Sequence, residues 1–143
     1  MQEFITNSQE ETMELGRIIA SNSNKGDVYV LVGELGAGKT KFVEGFLSYF
    51  GLENEISSPT FTIVNEYNRN SINIYHFDVY RLSDIDEFYA IGGDEYFSKG
   101  ICLIEWGDII KEALPKKYKK ILIQKDFANF NKRVIKIKDC IND

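Results

Sequence analysis

The eight residues Gly33-Glu34-Leu35-Gly36-Ala37-Gly38-Lys39-Thr40 match the spacing G-x-x-x-x-G-K-[ST] at every fixed position. Residues without a Cβ let the backbone curl so that several N–H groups point at one centre. A helix starting at the lysine adds the positive end of its dipole at the same place. The chemistry this suits is the cradling of phosphate. The Lys39 ammonium is placed to reach terminal phosphate oxygens, and the Thr40 hydroxyl to supply one position of octahedral Mg²⁺. A glycine-rich turn that merely happened to contain Lys and Thr would have to produce three glycines and the final dipeptide by chance. The expected binding set is therefore Gly33, Glu34, Gly36, Ala37, Gly38, Lys39, Thr40 and Lys41, with a nucleoside triphosphate and Mg²⁺ as ligands. Phosphate recognition is blind to the base, so the motif alone does not select adenine.

Several other residues have side chains that such a site could use. Glu105 ends the apolar run Ile101 to Ile104, where an acidic residue holds Mg²⁺ directly or through water in proteins with this loop; an ordinary strand-end carboxylate is the other reading. His76 and Asp78 lie two apart in a β-rich run, so they project from one sheet face together with Tyr80. Asp78 could orient an attacking water or a metal-bound water. A lone histidine suits packing or hydrogen bonding as well as it suits a ligand. Ser57-Ser58-Pro59-Thr60 offers a hydroxyl at Thr60 for sensing phosphate, although the same residues fit a plain turn into a strand. Trp106, the single tryptophan, is a core anchor or a link from the Glu105 strand to a partner surface. Asn24-Lys25-Gly26-Asp27 resembles a guanine-reading motif, but it precedes the phosphate loop instead of following a later strand, and is set aside.

The elements that must position these residues are legible as one α/β unit. Ser8 with Glu11 forms a capping box for a helix over about residues 9 to 22, with Leu15, Ile18 and Ile19 on its apolar face. Val28 to Val32 suits a strand buried on both sides. From Lys39, Phe42, Val43, Phe46, Leu47 and Phe50 recur at helical spacing, and Gly51 stands where a left-handed terminus is expected. Residues 60–67 and 72–80 read as strands joined by a turn at Asn68 to Ser71, and 84–90 as a helix. Ile101 to Ile104 is a further buried strand, and 121–124 with 134–138 close the sheet as a hairpin. The expected fold class is α/β, a mostly parallel sheet with antiparallel additions.

Composition bounds the remaining choices. The chain has 143 residues, 43% hydrophobic and 27% charged, which is enough for one domain with one core and unlike a disordered chain. Its apolar runs are far shorter than the ~20 residues that span a bilayer, and no basic leader with an apolar segment opens it. A cytoplasmic protein without a membrane association is expected. Two cysteines, Cys102 and Cys140, make neither a metal pair nor a disulfide framework, and Cys102 reads as core. A net charge of −5 is the wrong sign for gripping nucleic acid unaided, so stable direct DNA binding is not expected and any RNA role needs a partner. The basic run Lys116, Lys117, Lys119 and Lys120 reads as a solvated approach to a strand, with docking onto an acidic partner left open.

Gly33 to Thr40, Ser58-Pro59-Thr60-Phe61, His76-Phe77-Asp78-Val79-Tyr80-Arg81-Leu82 and Ile104-Glu105-Trp106, in this order, resemble the bacterial TsaE family of tRNA threonylcarbamoyladenosine biosynthesis ATPases. The resemblance covers nearly the whole chain. It implies a three-layer P-loop NTPase fold and an ATPase that uses ATP and Mg²⁺ and works with the TsaB and TsaD proteins, meeting tRNA through that complex. By matched position it implies phosphate binding by Lys39, metal binding by Thr40 and Glu105, a catalytic or metal-supporting role for Asp78 and a switch role for Thr60. Glu10, Thr12 and Arg133 would border the nucleotide. Two alternatives stay open: a nucleotide-gated assembly module with negligible turnover of its own, and a small-molecule kinase, for which the scattered arginines provide no lid. Replacing Lys39 by Ala should leave the fold intact and weaken nucleotide binding severely; near-wild-type affinity by calorimetry would overturn the phosphate-loop assignment.

Overall fold

A computed structural model describes residues 1–34, 37–55, 63–80 and 82–142. Its first helix, α1 (Gln9–Ser21), starts as its sequence demands. The Ser8 side chain accepts from the Glu11 N–H, and the Glu11 carboxylate accepts in turn from the Asn7 N–H, at 3.1 and 3.0 Å. The strand β2 (Val28–Gly33) runs straight into the glycine-rich loop, and α2 (Lys39–Tyr49) leaves it. Gly51 has φ +76°, the left-handed terminus expected after α2.

Downstream, β3 (Val64–Arg69) and β4 (Ile72–Asp78) form an antiparallel hairpin. Its two linking residues, Asn70 and Ser71, have φ of 51° and 68°, the twist that a two-residue turn needs to match its strands. The first strand was expected from residue 60, but it begins at Val64; residues 56–62 lie outside the described residues. The second stops at Asp78, not Tyr80, because the Asp78 carboxylate accepts from the Tyr80 N–H at 3.1 Å and turns the chain. Then come α3 (Ile85–Ala90), capped by Asp84, and β5 (Ile101–Glu105), as expected.

The terminal hairpin is longer than its apolar residues suggested, with β6 (Lys117–Lys125) and β7 (Arg133–Ile141). Lys117, Lys119 and Lys120 of the basic run are thus in a strand, and only Lys116 is an approach to it: Lys117 and Lys119 are exposed while Tyr118 between them is 8% exposed. One strand escaped the sequence reading. Residues Gln2–Thr6 form β1, an edge strand antiparallel to β7, and in its five residues only Thr6 is buried, so no hydrophobic alternation announces it.

The seven strands make one sheet in the order β1-β7-β6-β2-β5-β4-β3. The neighbours β6-β2, β2-β5 and β5-β4 are parallel; the outer pairs are antiparallel. On one face α1 and α2 bury Leu15, Phe42 and Phe46 against Tyr29, Leu31, Leu103 and Ile121. On the other, α3 and the 3-10 segments Gly93–Ser98 and Gly107–Ala113 cover Val30, Phe77, Cys102 and Ile104 with Phe88 and Ile110. These are the three layers of the expected α/β fold, and Cys102 is core, its thiol pushed up to about 12 by burial. Among the described residues no helix is long and apolar enough to cross a membrane.

The helix pair sits unusually close. A Cβ on Gly45 would fall 1.9 Å from the Met13 carbonyl oxygen, and one on Gly16 would fall 2.3 Å from that of Phe42. Both obstacles are backbone, so a side chain there forces α1 and α2 apart. Gly45→Ala should cost about 3 kcal/mol, at the upper end of overpacking effects, measured by urea denaturation; a loss within experimental error would mean that the helices can separate without penalty.

Candidate phosphate-binding site

Three parallel strands deliver the site. The carboxyl ends of β2, β5 and β4 lie side by side, with Leu31 opposite Glu105 and Glu105 opposite Asp78 in register. Loops at this end of a parallel sheet are where such folds bind ligands. Gly33 leaves β2 pressed against β6: a Cβ there would lie 2.6 Å from the Ile123 carbonyl oxygen. Gly38, at φ +110°, caps α2 in a conformation closed to ordinary side chains. Between them Ala37 is wholly buried, its N–H bonded to the Glu34 carbonyl at 3.0 Å. Leu35 and Gly36 lie outside the described residues, as does Thr60.

Lys39, in the first turn of α2, is 8% exposed. Burial pulls its amino group below the usual lysine range, while the charges of Glu105 and Asp78 act in the opposite direction. Its Nζ lies 4.0 Å above the centre of the Trp106 ring. Trp106 itself follows Glu105 at φ 64°, rare for so large a residue, and packs against Tyr80 with the rings tilted at 49° and their centres 5.3 Å apart. Thr40 is exposed beside Lys39, and Lys41 pairs with Glu44 at 3.1 Å. Glu34 is exposed.

The acidic side holds a contact that residue spacing alone did not specify. His76, 5% exposed, places Nε2 2.6 Å from the Glu105 carboxylate, and its Nδ1 is buried with no partner among the described residues. The packing-or-bonding reading of His76 is the one the geometry bears out. Period two put His76 and Asp78 on one face, but the bond to Glu105 requires the β4-β5 register, which spacing within one strand cannot reveal. Asp78 is half-buried beside Glu105. Lys39 thereby feels the charges of Glu105 and Asp78, which stand opposite each other in register, and Thr40 follows it at the start of α2.

A cavity of about 250 Å³ adjoins the loop, lined by Ser8, Gln9 and Thr12 of the α1 end, Gly38 and Lys41, and Phe130, Asn131 and Arg133 of the final hairpin. Thr12 is 2% exposed and shares its hydroxyl with Thr6 at 2.8 Å, and its methyl lies 3.8 Å from where a Gly38 Cβ would be. Glu10, one residue round the helix from Gln9, is exposed and does not line the cavity. Arg133 donates from Nε to the Ala37 carbonyl at 2.9 Å and from Nη1 to Phe130, tying β7 to the loop across 96 residues of sequence. Ser8, Gln9, Phe130 and Asn131 were not anticipated. Phe130, at 87% exposure, is an aromatic in a polar loop, and that is the signal that could have found it.

The Ala37 carbonyl has its charged donor in Arg133, and a hydrogen bond to a charged group is worth about 1.5–3 kcal/mol. Arg133→Ala should lower stability by about 2 kcal/mol in chemical denaturation; an unchanged midpoint and slope would show that the tie does not hold the loop.

With this geometry in hand, comparison with known proteins is direct. The model of the family described as "Threonylcarbamoyl adenosine biosynthesis protein TsaE" matches residues 6–135. A Bacillus subtilis protein named tRNA threonylcarbamoyladenosine biosynthesis protein TsaE is 44% identical over 121 residues, 84% of this chain and 75% of that protein. The protein of the same name from Treponema pallidum is 39% identical over 112 residues, 78% of this chain and 82% of its own length. The crystal structure of Bacillus subtilis YdiB superposes with a TM-score of 0.75 at 34% identity, covering 98% of this chain and 85% of that one. A match over nearly the whole chain, joined to identities of this size, means that the chain belongs to the TsaE family.

Proposed function

We propose that this protein is the Mg²⁺-dependent, ATP-binding and ATP-hydrolysing component of the tRNA N6-threonylcarbamoyladenosine modification machinery, acting in the cytoplasm with TsaB and TsaD. The observation that carries the reading is the buried Lys39 facing Glu105 and Asp78 behind a glycine-shaped loop, in a chain of this family. Glu105 and Asp78 offset the cost of burying the Lys39 charge, and the same set suits an anionic phosphate at the lysine and a cation at the carboxylates.

The donor chemistry fits the ligands. Thr40 and Glu105 offer hard oxygens, and no cluster of three or more His, Cys, Asp or Glu among the described residues could cage a metal alone. That suits Mg²⁺, which keeps waters and takes substrate phosphates in addition to one or two protein oxygens. Bound Mg²⁺ would neutralise charge developing on the phosphoryl oxygens. In this reading the loop N–H groups and Lys39 hold the phosphates, and His76 fixes the carboxylate of Glu105 in its metal-facing pose. Asp78 orients water by accepting its hydrogen bond. Thr60 senses the terminal phosphate, and the cavity beside Gly38 receives the nucleoside, with the Phe130 ring available to the base. Tyr80 and Trp106 carry the state of the site to the surface. tRNA is met through the complex with TsaB and TsaD.

The experiment is ATP turnover by the purified chain, alone and with TsaB, TsaD and tRNA, for wild type, Lys39→Ala and Glu105→Gln. Partner-stimulated turnover lost in both variants is the expected result. Flat turnover with partner assembly still controlled by ATP would replace the ATPase with a nucleotide-gated module, and phosphoryl transfer to a metabolite would replace it with a kinase.

A further inference from the structure

Charge is divided unevenly along this chain. Residues 116–138 hold nine of the 17 basic residues and one of the 22 acidic ones, so an acidic protein carries a strongly basic final hairpin. The fold then sorts those charges by face. On the α1/α2 face of β6 and β7, Ile121, Ile123, Ile135 and Ile137 are buried. The alternate residues point the other way, and there the covering layer of α3 and the 3-10 segments packs over β2, β4 and β5, with Tyr118 at its margin.

The rest of that face is open. It forms a cavity of about 470 Å³ whose lining includes Lys111, Lys120, Lys136 and Lys138, one carboxylate, Asp108, and the apolar Leu122. Lys120 sits directly opposite Lys138, and Leu122 opposite Lys136. Like charges placed opposite each other on paired strands are destabilising, so the Lys120–Lys138 opposition adds nothing to the folding of the isolated chain beyond what Asp108 offsets. Lys120 has Asp108 at 2.8 Å; among the described residues no carboxylate pairs with Lys111, Lys136 or Lys138. Further out on the same face, Val134 stands opposite Ile5, which is 52% exposed.

We propose that this open face of β6, β7 and β1 is the docking surface for an acidic protein partner. Charge complementarity selects the sign: four lysines ring the cavity against two carboxylates, Asp108 paired with Lys120 and Glu3 opposite Lys136 in register, so the excess is positive. Two features favour a protein over RNA. Leu122, Val134 and Ile5 lie among the lysines and can be dried by a partner's apolar side chains, which phosphate cannot supply. Outside the hairpin the chain is strongly acidic, so an extended polyanion is repelled beyond the patch while a local acidic surface is not. The face lies away from Lys39, Asp78 and Glu105, which belong to the α1/α2 side, so docking here leaves the phosphate site accessible.

This deepens the partnership proposed above and rests on it, so the purified TsaB–TsaD pair is the probe. Lys136→Glu with Lys138→Glu should weaken its capture by roughly tenfold or more and flatten the salt dependence of association. Lys25→Glu with Lys99→Glu, an equal change in net charge elsewhere, should leave capture near wild type. Lys136→Gln with Lys138→Gln should fall between, and thermal melting with nucleotide affinity checks that each variant is folded. Capture by wild type that the Glu pair leaves unchanged overturns the surface and spares the partnership; wild type that captures nothing overturns both. Loss of tRNA binding in the Glu pair with protein capture intact would assign the face to RNA and overturn the proposal.

Discussion

The molecule is organised around a lysine held away from water. An ammonium group at 8% exposure is tolerable because Glu105 and Asp78 oppose the cost of burying it and because its Nζ rests on the electron-rich face of Trp106. Each of those supports has a structural price elsewhere. Trp106 adopts a left-handed backbone to bring its ring over Lys39, and the carbonyl of Leu31 in β2 accepts from its N–H at 2.9 Å. Glu105 is braced by His76. Bringing these residues together at one end of the sheet requires β2, β5 and β4 to be parallel and adjacent, since only then do their carboxyl ends meet.

The loop between β2 and α2 is constrained in the same manner. β2 has β5 on one side and β6 on the other, so the backbone leaving it at Gly33 has no room for a side chain against Ile123. The α1/α2 pair, locked by Gly16 and Gly45, sets the height at which α2 begins and therefore where Lys39 and Thr40 stand. Arg133 closes the arrangement from the far end of the chain. The parallel half of the sheet thus supplies the charged groups, and the antiparallel half supplies the brace and one wall of the adjoining cavity.

The antiparallel half also has a surface of its own. Its isoleucine face is packed and its lysine face is not, and the alternation of the strands keeps the two apart. The sheet is thus covered on both sides at the end that holds β2, β4 and β5 and on one side at the end that holds β6 and β7.

Local pattern made much of this legible. The phosphate-loop spacing, the β-branched run before it, the helical spacing after it and the capping pair at Ser8 and Glu11 are short-range signals, and each element stands where they put it. The length of the terminal hairpin and the presence of β1 were less accessible, because their residues are polar and their strand conformation is imposed by pairing with neighbours. The sequence by itself determined the glycine-rich strand–loop–helix unit that carries Lys39 and Thr40, since this depends on residue type and on contacts within a few positions. The bond from His76 to Glu105, the tie from Arg133 to Ala37, the ring under Lys39 and the open lysine face were decided by the tertiary structure. Each depends on strand order and register, which bring together residues up to 96 positions apart through packing that no local pattern encodes.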